Sequence, residues 1–421
     1  MQKTLMSKKL LALLLIVTLL PASLAFAKED EKAENEVLKL SLEDAIKLAE
    51  ENNQQVKLSE LALEKAKLGR QQYRYQDRKT RDLEDEIRRQ IEWWNSLGDE
   101  EKQALLEQEG FTPPFDPGIT SSFEYTYTMD LLEKQTDVAV KLAEAGIDVT
   151  IRGIRFGVEA AYYGAISARD NRLLAEAAVE RYQDLLRIAE AKYNAGVVAK
   201  TEVLDAQVQL AKAEADLLKA KSQEEKAYIN LKKLLGLAQD ELIELTDTFD
   251  YKPVDFDVTL EELIAEALKN RIDIMSAEGA YEVAKLDFDL NSKVYPSNTF
   301  IYKEKQHAME DARIKLEDTK ASVEAEVRQI WLDFEEAKVN IPVLDKALEM
   351  AEESLRLARL SYEAGLVRSV DVAAAEEGLR QVQLQRSGVI YNYNLARLKL
   401  ENVVRFSVSG AAAISSEASP M

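Results

Sequence analysis

Apolar residues return at three- and four-residue steps through most of the proline-free stretch between Pro117 and Pro253, a rhythm that predicts very long amphipathic helices. A helix of about 60 residues would run about 90 Å. After Gly196 the positions Ala206, Leu210, Ala213, Leu217, Ala220, Ala227, Leu231 and Leu234 form a coiled-coil seam that only Glu224 interrupts. Leu204, Val208, Ala211, Ala215 and Leu218 form a second seam one face over, so the helix expects two neighbours. A curved wall of helices and an ordinary long coiled coil both satisfy that pattern.

Internal repetition favours the wall. The segment from Ala189, AEAKYNAGVVAKTEVLDAQ, returns from Ala358 as ARLSYEAGLVRSVDVAAAE, at a constant offset of 169. SLEDAIKLAEENN from Ser41 returns from Thr259 as TLEELIAEALKNR, at an offset of 218. The chain therefore reads as two copies of one unit, with 49 extra residues in the first. The second copy repeats the seam as Ala375, Leu379, Val382, Val389, Tyr393, Ala396, Leu400 and Val403, with Arg386 as its exception. Ser41 and Thr259 are helix-start residues followed by acids, and Gly196 and Gly365 are placed to end helices in the left-handed conformation. Each copy is thus expected to hold a hairpin of long helices, in an all-α fold.

Composition narrows the function. Lys3, Lys8 and Lys9, an apolar run and Ala25-Phe26-Ala27 read as an export signal over residues 1–27, with an uncleaved anchor as the other reading. Losing those lysines takes the net charge from −21 to −24, which disfavours nucleic acid. No cysteine is present and His307 is the lone histidine, so disulfides, thiolate metal sites and His-based triads are excluded within one chain. No phosphate loop or nucleophile elbow occurs. The expectation is a protein that is not an enzyme and uses no cofactor.

The pattern from Tyr193 to Gln207, Tyr-x-Ala-Gly-x-Val followed by Thr-x-Val-Leu-Asp-Ala-Gln, resembles the hairpin tip of TolC-type outer membrane efflux proteins. The opening motif over 42–53, with Ala49 and Asn52, is similar to the first helix of that family. The resemblance covers roughly 40–406. It implies a homotrimer whose helical tunnel docks an adaptor protein and an inner-membrane pump, in the outer membrane and periplasm. By position it assigns Glu202, Asp205 and Asp371 to an acidic channel constriction, with Ala374 where a second copy of Asp205 would stand. It assigns adaptor docking to Ala195, Gly196, Val197, Val198, Ala364, Gly365, Leu366 and Val367.

The strands of that family's membrane barrel are largely missing. Residues 293–302 leave room for a turn, and 123–129 alternate well enough for one short strand. Trp93, Trp94, Phe111, Phe115, Phe123, Tyr125 and Tyr127 form either an interfacial belt with possible membrane contact or the core of an inserted element at about 89–130. The expected organisation is a first repeat over 28–245, a second over 246–408 and a disordered tail over 409–421. The alternative function is an extracytoplasmic coiled-coil scaffold that has lost barrel and channel.

Overall fold

The structure is a computed structural model that describes residues 37–248 and 258–408. The expected signal segment 1–27 and tail 409–421 lie outside the described residues. The first copy contains β1 (Leu38–Leu40), α1 (Leu42–Asn52), α2 (Gln54–Ser96), α3 (Asp99–Leu106), α4 (Phe123–Asn194) and α5 (Lys200–Leu235). The second contains β2 (Ile243–Leu245), α6 (Leu260–Asn270), α7 (Ile272–Ser292), α8 (Phe300–Glu363) and α9 (Ser369–Asn402). Apart from α3, the two copies follow one order of elements. The fold is all-α but for β1 and β2, which pair in parallel with Leu38 opposite Ile243 and Leu40 opposite Leu245.

In each copy one full-length helix lies beside two shorter ones, α2 and α5 or α7 and α9, and the 11-residue α1 or α6 also packs on it. At 72 and 64 residues, α4 and α8 run about 108 and 96 Å. Toward the glycine turns the helices lie in the order α5, α4, α9, α8; toward the other end the order is α2, α4, α7, α8. The shorter helices meet at an equator. There the Asn52 side chain donates to the Leu235 carbonyl at 2.9 Å, and the Ile272 N–H donates to the Arg405 carbonyl at 3.3 Å. Around it sit two cores, one built from Ala45, Ala49, Val158, Tyr162, Leu231 and Leu235, the other including Ile274, Val327, Phe334, Tyr393 and Phe406.

Both exceptions in the sequence seams are ion pairs to a facing helix: Glu224 meets Arg172 at 2.7 Å and Arg386 meets Asp345 at 2.6 Å. At Gly279 a Cβ would lie 2.5 Å from Val138, so α7 approaches α4 more closely than any side chain would allow.

Residues 123–129 are not a strand. Ser122 accepts from the Tyr125 N–H at 3.2 Å and starts α4, so Phe123 and Tyr127 stack one turn apart with ring centroids at 5.6 Å. The other aromatics divide. Trp94 packs on Phe111, and the Tyr125 and Tyr127 hydroxyls bond to Asp77 and Asp287, whereas Trp93 and Phe115 are exposed.

At the equator, Glu159 lies on α4 with Arg155 and Tyr163, facing Arg397 and Glu401 of α9. Burial first, then the Glu401 charge, pushes its carboxyl up to about 7, against the opposing pull of Arg397 and Arg155. A carboxyl raised above its unfolded value favours the fold fully below about 4.5, and that contribution is lost as pH rises through about 7. Glu159→Gln is therefore expected to raise the melting temperature at pH 8 and to leave it unchanged at pH 4. A melting series of both proteins across that range, showing a constant difference, would refute the assignment.

Candidate functional site at the paired hairpin tips

At both turns the helix ends in the closure that a left-handed residue makes possible. Gly196 has φ +74° and Gly365 φ +76°; their N–H groups donate to Tyr193 and Tyr362, while Val197 and Leu366 donate to Lys192 and Ser361 at 2.9 and 2.8 Å. No atom lies within 4 Å of a Cβ placed on either glycine, so the turn itself, not crowding, calls for glycine.

The closure pushes the following residue outward. Val197 is 69% exposed and Leu366 79%, with Ala195, Gly196, Ala364 and Gly365 exposed beside them. Val198 and Val367 are half-buried, and Val367 packs against the core that joins the two hairpins.

The three candidate acids gather where α5 and α9 begin. Glu202 and Asp371 occupy the same place in the repeat but do different work. The Asp371 carboxylate accepts from the Arg368 backbone N–H at 2.9 Å, closing the first turn of its own helix. The Glu202 carboxylate leaves its own helix and accepts from the Ser369 N–H, at 2.9 Å, and from the Ser369 hydroxyl, so it caps α9 of the other copy. Asp205 is exposed and borders a hollow of about 140 Å³ with Leu185, Gln209, Arg368 and Val370.

Other cross-copy contacts were not legible as site residues. The Lys192 ammonium donates to the Tyr362 carbonyl and sits 3.8 Å over the Tyr362 ring, which combines a charge-assisted bond with a cation–π contact. Burial, then the Glu202 charge, holds the Tyr362 phenol above its ordinary pKa. Deeper in, Glu376 is buried and accepts from Arg181 at 2.6 Å and from Arg359. Burial beside Glu376 and Glu377 pushes the Tyr182 phenol up to about 12. The signal that could have found these residues is asymmetry between the copies: Lys192 aligns with Ser361, and Glu376 with Gln207.

The arrangement can brace two tips against each other and present two apolar knobs. Among the described residues no group of three or more His, Cys, Asp and Glu side chains could hold a metal ion.

Residues 134–237 match the family described as outer membrane efflux protein. These residues contain the first tip and the seam of α5. Over that stretch the chain resembles the family.

It is also 21% identical over 282 residues to the alkaline protease secretion protein AprF of Pseudomonas aeruginosa, covering 57% of this chain and 59% of that one, so the match spans well under two thirds of the relative. The fold is shared with the outer membrane protein VceC of Vibrio cholerae, at a TM-score of 0.62 and 16% identity, covering 86% of this chain and 95% of that one. It is shared too with the CmeC outer membrane channel of Campylobacter jejuni, at 0.62 and 14%, covering 88% and 85%. By their names these are a secretion protein, an outer membrane protein and an outer membrane channel, and the tandem hairpins seen here share the TolC-like architecture of the latter two.

Proposed function

We propose that copies of this chain close into a homotrimeric helical conduit in the cell envelope, which docks an adaptor and an inner-membrane pump at its paired tips and exports their cargo without catalysis. The observation that carries this reading is the pair of uncovered edges. Opposite its packed face, α8 exposes Leu332, Val339, Val343, Met350 and Leu357, and α5 exposes Leu204, Val208 and Leu218. Upper α2 does the same with Leu61, Leu68 and Tyr75, spaced by sevens. Apolar seams on both outer helices of a row suit side-by-side closure, one copy's α2 and α5 against the next copy's α8.

In this reading Val197 and Leu366 are the adaptor contacts, Glu202 and Asp371 brace the mouth, and Asp205 supplies its free negative charge, which favours cations. The two repeats, 28–245 with an insertion at about 89–130 and 246–408, build equal sectors of the wall.

Val197→Asp combined with Leu366→Asp is expected to abolish export while leaving the melting temperature within about 1 °C, because both side chains already face water. Unchanged export in cells carrying the double variant would exclude tip docking. One observation favours the scaffold alternative: among the described residues no strand besides β1 and β2 occurs, and no helix is long and apolar enough to cross a membrane. Release of the chain from envelopes by alkaline carbonate would select the scaffold; retention would select the conduit.

A further inference from the structure

The turn between α7 and α8 carries an unusually exposed apolar surface: Phe300 is 92% exposed and Val294 49%. Only between the flanking acids Asp289 and Glu304 is it basic. From Leu290 to Lys303 there is no acid, and Lys293 and Lys303 are the charged residues, in a chain of net charge −21.

The insertion of the first copy has the opposite character. The Tyr125 hydroxyl donates to Asp77 at 2.7 Å and the Thr120 N–H to Glu84 at 3.1 Å, so α4 begins level with the part of α2 near Thr80. Phe123 meets Tyr295 at 6.2 Å between centroids, which sets the α7–α8 turn at that same height. The end of α2, from 81 to 96, therefore runs about 24 Å beyond the turn. Folded against it, residues 97–122 hold Asp99, Glu100, Glu101, Glu107, Glu109 and Asp116 against Lys102 alone, and Leu106 and Phe115 are exposed.

Within one chain the two surfaces are kept apart, because α2 and α8 are the outer members of their row. Side-by-side closure brings them together. α2 of one copy then lies along α8 of the next, and its projection stands at that copy's turn. We propose that the acidic, aromatic projection at 81–116 seats on the basic α7–α8 turn of the adjacent copy, so that contacts between copies close the rim of the ring. The inference rests on the ring reading. Opposite charge selects a second copy as occupant, and apolar exposure on both sides supplies the buried contact.

The test places the photo-crosslinker p-benzoylphenylalanine at Phe300 in one full-length protein and at Met350 in another, both irradiated in native envelopes. Met350 reports the ring and is expected to label α5 of another copy near Ala215. Phe300 is expected to label residues 81–116 of another copy. Lys293→Glu with Lys303→Glu should lower the Phe300 yield by more than about threefold and leave the Met350 yield unchanged. If Met350 labels α5 while Phe300 labels lipid, a different protein or nothing, the rim contact is overturned and the ring stands. Labelling from Phe300 alone would show a contact between copies outside a ring and overturns both the ring and the rim closure; no labelling from either position overturns both as well.

Discussion

Arg271→Ala is expected to destabilise the protein by about 3–5 kcal/mol, measured as a fall in the urea midpoint of the full chain, because it strips the charge from a buried network and strands its partners. Arg271 is 1% exposed, at the junction of α6 and α7. Its guanidinium donates to Asp273 at 3.1 and 2.6 Å and to Glu326 of α8 at 2.6 Å, and Glu326 accepts in turn from the Ser407 hydroxyl at 2.9 Å. One side chain thus ties the start of α7, the middle of α8 and the segment after α9. Arg271→Lys keeps the charge but loses the planar fork, and is expected to restore about half of the loss. A loss below about 1 kcal/mol for the alanine variant would mean that water replaces the guanidinium, contrary to its burial.

The same junction separates what a sequence declares locally from what it does not. Asn53 occupies the corresponding place in the first copy, where its side chain accepts from the Gln55 N–H at 2.8 Å and starts α2 within two residues. That solution can be read from neighbouring letters. Arg271 instead depends on Glu326, 55 residues away, and no local pattern names the partner. The helices, the duplication and the glycine reversals were legible for the first reason: apolar spacing and a residue that accepts positive φ are properties of a few adjacent positions. Residues 123–129 misled because strict alternation of aromatic and polar residues also suits a helix start, once Ser122 caps it and Phe123 and Tyr127 fall on one face. Glu202 and Asp371 show the limit at the candidate site. Equivalent in the repeat, they differ in whether the carboxylate turns to its own helix or to the other copy, which only the packing of the two tips decides.

Glu376→Ala is expected to loosen that packing. The carboxylate is buried between Arg181 of α4 and Arg359 of α8, so its removal leaves two guanidinium groups facing each other without a counter-charge. The cost should be about 3 kcal/mol, the low end for breaking a buried pair, because the Arg359 side chain is 43% exposed and water screens part of the repulsion. Glu376→Gln fills the same volume and can accept from one arginine, so it should cost about half as much; equal losses would assign the whole effect to the lost charge and none to packing. The damage should be local. Hydrogen exchange is expected to quicken in α9 near Ala373 and at the tips, where Lys192, Glu202 and the shared apolar core would still hold the copies together, and to stay unchanged around Arg271. Uniform acceleration along the whole chain would show that the tip junction and the equatorial core unfold as one unit, and that Glu376 is not a separate brace of the mouth.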